Sequence, residues 1–193
     1  MPTTAQALYQ RHRLTVDDYH RMGEAGILQE DDRVELIEGE IVDMPPIGSK
    51  HAAMVARLQR LLERATGEQA IVWTQNPIVL DNLSEPQPDL CLLHPEDNFY
   101  ESSHPRPKDV LLVIEIADTT LHYDREVKVP LYVRHGIPEV WIVDVENHCL
   151  HIFRNPAKDG YQDCQTLSQL GVITPIMLPQ YAINLSGLFR LLH

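Results

Sequence analysis

The sequence lacks the features that define several large classes of protein. Its three cysteines, Cys91, Cys149 and Cys164, are odd in number, far apart, and without the short paired spacing of a zinc or redox motif. We expect them to be reduced, ordinary residues. No continuous apolar run approaches the roughly 20 residues of a membrane-spanning helix, and the N-terminus has no basic segment followed by an apolar one. These absences predict a soluble cytoplasmic protein with no membrane association.

Positive charge is also scarce. The chain has 16 Lys and Arg against 28 Asp and Glu, a formal net charge of -12. This balance disfavours tight non-specific binding to a phosphate backbone, so any contact with nucleic acid must be local. A metal-dependent enzyme acting on phosphodiesters is still compatible with it, because divalent ions offset the charge of both carboxylates and phosphate.

Apolar residues make up 44% of the 193 residues, enough to form one core, and we expect a single domain over residues 1–193. In the N-terminal half, the patterns predict a helix that a Thr15–Asp18 capping box opens and that ends at Gly23 or Gly26. They then predict a hairpin of 33–37 and 40–44 and a helix capped by Ser49 that runs to about Thr66. Two strands follow, over 71–80 and 89–93. In the C-terminal half, they predict a strand over 110–116, a helix from 119–120 to about 135, a hairpin of 139–145 and 148–154, a peripheral strand over 172–178, and a closing helix over 185–192.

The mixed order of these strands and helices favours an α/β sandwich, with a mixed central β-sheet flanked by helices. Pro130 falls inside one predicted helix. Because proline lacks a backbone N–H, it must kink that helix or lie in its first turn.

Two acidic residues stand where the chain is otherwise apolar. Asp89 opens an apolar strand directly after Pro88, and Glu115 interrupts the most apolar strand near its end. A carboxylate inside a covered strand is costly unless something pairs with it. If the two strands are neighbours, both carboxylates point to one place, where hard oxygen ligands suit Mg²⁺ or Mn²⁺. The alternatives are a strand-edge turn role for Asp89 and a buried basic partner for Glu115.

Several segments together resemble a known family. They are SEPQPDL at 84–90, VIEI at 113–116, YDREVK at 123–128, Tyr132, GIPEVWIVD at 136–144, VELIEGE at 34–40, and His51. These segments, within about residues 13–153, resemble the bacterial restriction-endonuclease-like branch of the PD-(D/E)xK nuclease superfamily. The resemblance implies a restriction-endonuclease-like fold and an endonuclease that hydrolyses DNA through metal-activated water.

The resemblance also implies roles for individual residues. Asp89 matches the Asp of the PD element and Glu115 the acidic residue of the (D/E)xK element, both as ligands of Mg²⁺ or Mn²⁺. Ala117 stands where the superfamily has its strand lysine. Lys128 on the next helical segment is the candidate replacement, because a lysine stem is long and flexible enough to reach a shared site and orient the attacking water. Glu35 resembles a further catalytic acid, although a solvated strand face explains it equally well.

Other polar and aromatic residues have two interpretations each. His51 could meet a phosphate or a water, but an exposed histidine at the start of a helix is the commoner case. Asp144 is better explained by a strand-end or turn role than by metal binding. Trp141 and Tyr132 are expected in the core rather than stacked on bases.

The remaining histidines and basic residues give weaker signals. The histidines without a consistent metal spacing are His122, His148 and His151. The residues that offer only a thin phosphate-binding surface are Lys50, Arg125 and Arg134.

Three functions stay open from the sequence. The first is a DNA endonuclease dependent on Mg²⁺ or Mn²⁺. The second is a weak or inactive relative that acts as a binding or assembly module, which the displaced lysine and the acidic charge favour. The third is an unrelated carboxylate metallohydrolase for a small phosphoester. A homodimer would fit the first, because many nucleases of this superfamily place two sites on two strands, but no segment identifies its interface.

Overall fold

A six-stranded mixed β-sheet forms the centre of the computed structural model, which describes residues 11–29 and 31–189. Its strands are β3 (Ile71–Thr74), β4 (Leu90–Leu93), β5 (Val110–Ala117), β6 (Glu139–Asp144), β7 (Cys149–Ala157) and β8 (Gly160–Leu167). They lie side by side in this order. β5 and β6 are parallel, and the other neighbours are antiparallel. The predicted α/β fold with a mixed central sheet is therefore confirmed.

Helices and two small hairpins surround this sheet. The helical elements are α1 (Val16–Glu24), α2 (Ser49–Thr66), 3₁₀ turns at Gly67–Gln69 and Pro107–Asp109, α3 (Leu121–Tyr123), a π-helical turn (Asp124–Lys128) and α4 (Val129–Arg134). The remaining strands are β1 (Val34–Ile37) with β2 (Glu40–Asp43), and β9 (Val172–Ile173) with β10 (Ile183–Asn184). Within the part of the chain that the structure describes, no helix is both long and apolar enough to cross a membrane.

The sheet separates two apolar cores. On one face, Met54 and Leu58 of α2 pack with Ile114 and Trp141. On the other, Leu131 and other residues of α4 pack with alternate residues of β5 and β6. Every residue of β5 is buried, as expected of a central strand covered on both faces. The strand therefore has no solvent-exposed face, and Glu115 must find its partners inside the protein.

The β1–β2 hairpin is tied to the segment that precedes β4. Its turn is Glu38-Gly39, with φ of 50° and 79°, the left-handed pair typical of a two-residue hairpin turn. Leu36 and Glu85 exchange backbone hydrogen bonds, with Glu85 N–H donating at 2.7 Å. This link places Glu35 beside the start of β4.

The predicted helix after β5 is not one regular helix. Pro130 lies in the first turn of α4, one of the two positions expected for it. Directly before it, the Val129 N–H donates to the Asp124 carbonyl, which widens this turn to the π form. Both ends of the wide turn, Asp124 and Lys128, are buried.

Several predicted boundaries are wrong for local reasons. β3 ends at Thr74 rather than at residue 80, because Gln75 takes a positive φ of 49° and Pro77 has no N–H for a sheet ladder. Ser49 is the first residue of α2, and Gly48 occupies the cap position without a side-chain hydrogen bond.

The C-terminal predictions are less accurate. β8 was missed, although Asp159-Gly160 is a hairpin signal. The strand expected over 172–178 shrinks to Val172–Ile173, two residues before Pro175. Residues 186–189 form turns instead of the closing helix, and 190–192 lie outside the described residues.

Candidate active site

One cleft of about 690 Å³ contains all four predicted catalytic residues. The side chains that reach it are Glu35, Asp89, Glu115 and Lys128. They come from β1, the residue before β4, the middle of the sheet at β5, and the π-helical turn. The fold thus brings together residues that are far apart in the sequence.

Lys128 lies between two of the carboxylates. Its Nζ is 3.1 Å from Glu115 Oε1 and 3.3 Å from Glu35 Oε2. All three side chains are buried. The lysine therefore reaches the position next to Glu115 from the following helical segment, although the strand itself carries Ala117.

Asp89 is fixed by contacts to both of its oxygens. Oδ2 accepts a hydrogen bond from the backbone N–H of Ile116 at 2.8 Å, and Oδ1 lies 2.7 Å from His51 Nε2. The Asp89 N–H in turn lies 3.4 Å from Glu115 Oε2. β4 and β5 are direct neighbours, so the expectation that the two carboxylates meet in one place holds geometrically.

Glu35 is buried, and its interpretation as a residue of a solvated strand face is wrong. Its Oε2 accepts from the Gln87 N–H at 3.1 Å, and its Oε1 accepts from the Tyr123 hydroxyl at 3.2 Å. The carboxylate is thereby turned toward Lys128 and the cleft.

Comparison with known proteins agrees with this architecture. The family model described as "Uma2: Putative restriction endonuclease" matches residues 16–186. The chain belongs to this family. No curated protein matches it. A solved structure, "a putative nuclease belonging to DUF820 from Anabaena variabilis", is similar over 92% of this chain and 98% of its own, with 16% identity and a TM-score of 0.69. At that identity the likeness concerns the fold. The restriction-endonuclease-like resemblance seen in the sequence is confirmed.

Burial and mutual charge shift the pKa values of several groups in this Uma2-family cleft. Burial raises the pKa of Glu115 to about 8, against the opposing effect of Lys128. Burial also raises the pKa of Asp124. For Lys128 itself, burial alone would lower the pKa, but the surrounding carboxylates, Glu115 foremost, raise it well above its usual value. The site therefore holds a charged lysine and an excess of acidic groups that a cation would stabilise.

Sequence reasoning missed several residues that hold these groups. The Tyr132 hydroxyl donates to Glu115 Oε1 at 2.6 Å, and the Thr120 hydroxyl donates to Asp124 Oδ2 at 2.7 Å. Gln75 Nε2 lies 3.4 Å from Asp89 Oδ1. The tyrosine is in the core as expected, but its hydroxyl also serves the site. The Tyr132–Glu115 contact is tertiary and no spacing in the sequence signals it, whereas Thr120 and Asp124 are four residues apart, a helical spacing that could have indicated their contact.

His51 is not the exposed helix-start residue that the sequence favoured. Its side chain is 18% exposed and lines the cleft beside Asp89. The hydrogen bond with Asp89 raises the pKa of His51, against the effect of burial. His51 is therefore a hydrogen-bond partner of Asp89 in the first turn of α2.

Of the remaining residues singled out in the sequence, His122 lines the cleft and the others lie elsewhere. Trp141 is fully buried, as expected, and its Nε1–H donates to Glu139 at 2.7 Å. Asp144 accepts from the Asn147 N–H at 2.9 Å, which is the turn role expected for it. The predicted basic surface does not converge on the cleft. Arg134 pairs with Glu38 at 2.9 Å, while Arg33 is a cleft residue that the sequence did not single out.

Proposed function

We propose that this protein is a metal-dependent endonuclease that hydrolyses DNA phosphodiester bonds with a metal-activated water. One observation carries the proposal: Asp89, Glu115 and Lys128 converge in a single cleft of a chain that belongs to a restriction-endonuclease-like family. Metal dependence, the ion and the roles of the residues are all part of the proposal.

The donor set fits a small hard cation. Asp89 and Glu115 would hold it, because both are oxygen ligands and Mg²⁺ or Mn²⁺ needs only one or two protein carboxylates beside waters and substrate phosphate. The raised pKa of Glu115 supports this, since a buried carboxylate without enough positive charge around it keeps its proton. When bound, such an ion lowers the pKa of a water and offsets charge developing on the phosphate.

Lys128 would orient the attacking water and contact the scissile phosphate. An ammonium has three N–H donors, and the two ion pairs described above engage only part of this capacity. Its pKa, well above the usual value, keeps it charged at neutral pH. Electrostatic stabilisation by a group fixed in advance costs no reorganisation during the reaction.

Glu35 and His51 would act through these residues. Glu35 forms a second ion pair with the ammonium, and His51 holds one oxygen of Asp89. A net charge of -12 means that the DNA backbone must be attracted locally, by the bound cation, Lys128 and Arg33 at the cleft.

The test is cleavage of supercoiled plasmid in Mn²⁺ and then Mg²⁺, with wild type, Asp89→Asn and Glu115→Gln purified identically. Asp163→Asn on β8 is the matched control, because it makes the same chemical change outside the cleft. We expect cleavage by wild type and Asp163→Asn, and a loss of at least about 100-fold in the two site variants. Circular dichroism and thermal melting establish that each variant is folded.

Other results would redirect the proposal. An intact plasmid with wild type over a broad range of pH and salt, or equal cutting by all four proteins, would overturn DNA cleavage by this site. Efficient hydrolysis of a chromogenic phosphodiester with no effect on plasmid would favour a small-phosphoester enzyme. Binding of DNA without cleavage, unaffected by Asp89→Asn, would favour a binding module.

A further inference from the structure

A second cluster of metal-ligating side chains lies at the hairpin between β6 and β7. It consists of Asp144, Cys149 and His151, whose donor atoms all lie within 4.8 Å of one another. All three are buried, and none of them lines the cleft. Within the described residues, this is the one group of three or more such side chains whose donor atoms are close enough to share an ion.

The register of the sheet explains why these residues meet. Asp144 and Cys149 are cross-strand partners, and His151 follows Cys149 by two positions on β7. Paired residues, and alternate residues of one strand, share a face of the sheet. The three side chains therefore project to the same side, and the sequence gives no metal spacing because the ligands come from two strands.

The distances fit a tetrahedral ion. Cys149 Sγ is 3.6 Å from His151 Nε2 and 3.9 Å from Asp144 Oδ2, and the latter two atoms are 3.7 Å apart. Zinc bonds of about 2.0 to 2.3 Å at tetrahedral angles require ligand atoms about 3.3 to 3.6 Å apart. The three atoms already form one face of such a tetrahedron. A contraction of a few tenths of an ångström would bring them to the distances of zinc ligands.

Hydrogen bonds from neighbouring residues also orient two of these ligands. His151 Nδ1 lies 2.9 Å from the hydroxyl of Thr166, its cross-strand neighbour on β8, so Nε2 is the nitrogen turned toward the sulfur and the carboxylate. The Asn147 side chain donates to Asp144 Oδ2 at 2.8 Å. Hydrogen bonds of this kind hold the ligands of structural and catalytic metals.

We propose that Asp144, Cys149 and His151 form a site for a borderline transition-metal dication such as Zn²⁺, with water or an external ligand in the fourth position. A thiolate, an imidazole and a carboxylate select such an ion over Mg²⁺, which prefers oxygen ligands alone. On binding, the Cys149 thiol loses its proton to solvent as the metal–sulfur bond forms, so a thiol and M²⁺ give a metal thiolate and H⁺.

The local electrostatics are compatible with this site. Burial, together with Arg125, lowers the pKa of His151, which keeps the imidazole neutral and able to ligate. Burial and Asp144 raise the pKa of Cys149, so the thiol carries its proton until a metal displaces it. Arg125 opposes a cation here, and its side chain is exposed, so water screens its charge.

Cobalt provides the direct test, because Co²⁺ bound to a thiolate gives a sulfur-to-metal charge-transfer band that carboxylate and imidazole ligands do not produce. Reduced, metal-free full-length protein is titrated with Co²⁺, followed by Zn²⁺. We expect a charge-transfer band and tetrahedral absorption that saturate at one thiolate-bound Co²⁺ per chain, separate from any Co²⁺ held by the carboxylates of the cleft, and loss of both signals on adding Zn²⁺. Cys149→Ser should abolish the band, while Cys164→Ser on β8 is the matched control and should keep it.

A milder variant keeps the test decisive if Cys149→Ser fails to fold. Thr166→Val removes the hydrogen bond to His151 without removing a ligand, and we expect it to weaken Co²⁺ affinity about 10-fold. Asp89→Asn should leave the band unchanged, which separates this site from the proposed nuclease centre.

Three results would overturn the proposal: no charge-transfer band with wild type, a band that disappears in Cys164→Ser and persists in Cys149→Ser, or an unchanged affinity in Thr166→Val. Each of these results would leave the nuclease proposal standing, because its own variants are scored by plasmid cleavage.

Discussion

The ammonium of Lys128 lies 3.1 Å from Oε1 of Glu115 and reaches it from a π-helical turn, not from the strand that carries the glutamate. The wide turn, completed just before Pro130, buries the lysine against the sheet. In this chain a basic group therefore accompanies the strand carboxylate even though Ala117 follows it on the strand.

Lys128→Met should remove activity and reduce stability. The variant leaves Glu35 and Glu115 buried without their cation, a change that costs several kcal/mol unless a carboxylate takes up a proton. We expect protonation of Glu115 to limit the loss to about 2 kcal/mol. Plasmid cleavage should fall by about 100-fold or more. Urea denaturation and cleavage assays measure the two effects.

The double variant Lys128→Met, Glu115→Gln checks the cause of this loss. A neutral amide removes the buried group that must otherwise stay charged or take up a proton, so the double variant should be more stable than Lys128→Met alone. Equal or lower stability of the double variant would mean that the ion pair is not the source of the effect.

The stability of the metal-free protein should fall as the pH rises from about 5 to 8. Burial raises the pKa of Glu115 from 4.5 to about 8, so within this window the unfolded chain has released a proton that the folded chain still holds. Folding therefore becomes less favourable with rising pH, with a slope of at most about 1.4 kcal/mol per pH unit from this one group.

Urea denaturation in EDTA at pH 5, 6.5 and 8 measures this dependence, with Glu115→Gln as the reference because it cannot titrate at this position. Wild type should lose stability relative to the variant as the pH rises. Parallel curves for the two proteins would show that Glu115 does not carry the proton.

His51→Gln should weaken metal binding without unfolding the protein. His51 Nε2 holds Asp89 Oδ1 at 2.7 Å, and removal of a group that orients a metal ligand typically costs 10- to 100-fold in affinity. We expect the Mn²⁺ concentration for half-maximal cleavage to rise by at least about 10-fold. His94→Gln, at an exposed residue, should leave it unchanged. The same half-maximal concentration for both variants would remove His51 from the site.

Gly39→Ala should destabilise the fold. Gly39 has φ of 79°, and an added Cβ would lie 2.5 Å from the Cβ of Arg13. We expect a loss of about 2 kcal/mol or more, since both backbone strain and a close contact oppose the change. Gly23→Ala is the control of opposite sign: it lies within α1 with open space around it, and should stabilise by roughly 0.5–1 kcal/mol. Thermal melting of both variants measures the difference.

The local elements were predictable where their signals are local. The Thr15–Asp18 capping box, the Glu38-Gly39 turn and the apolar stripe of α2 each report on a few neighbouring residues, and each element formed as expected. Predictions failed where proline and positive φ broke a pattern, as after Thr74 and near Pro175. These failures lie at the ends of elements, where too few residues remain for hydrophobic periodicity to indicate the structure.

The candidate site was predictable in part. Asp89 and Glu115 drew attention because acidic side chains in apolar strands are costly, and the family resemblance suggested Lys128 and Glu35. The burial of Glu35 and the contacts of His51 and Tyr132 depend on partners distant in the chain, so no spacing revealed them.

By itself, the sequence determined α1, α2, most strands of the central sheet and the cost of the buried acids, because secondary structure and desolvation follow from neighbouring residues and their chemistry. Only the tertiary structure decided which groups meet. The pairing of β4 with β5 brought Asp89 to Glu115, the π-helical turn delivered Lys128, and the register of β6 with β7 assembled Asp144, Cys149 and His151. These contacts depend on strand register and helix packing, and both are fixed by burial of the whole core rather than by any one segment.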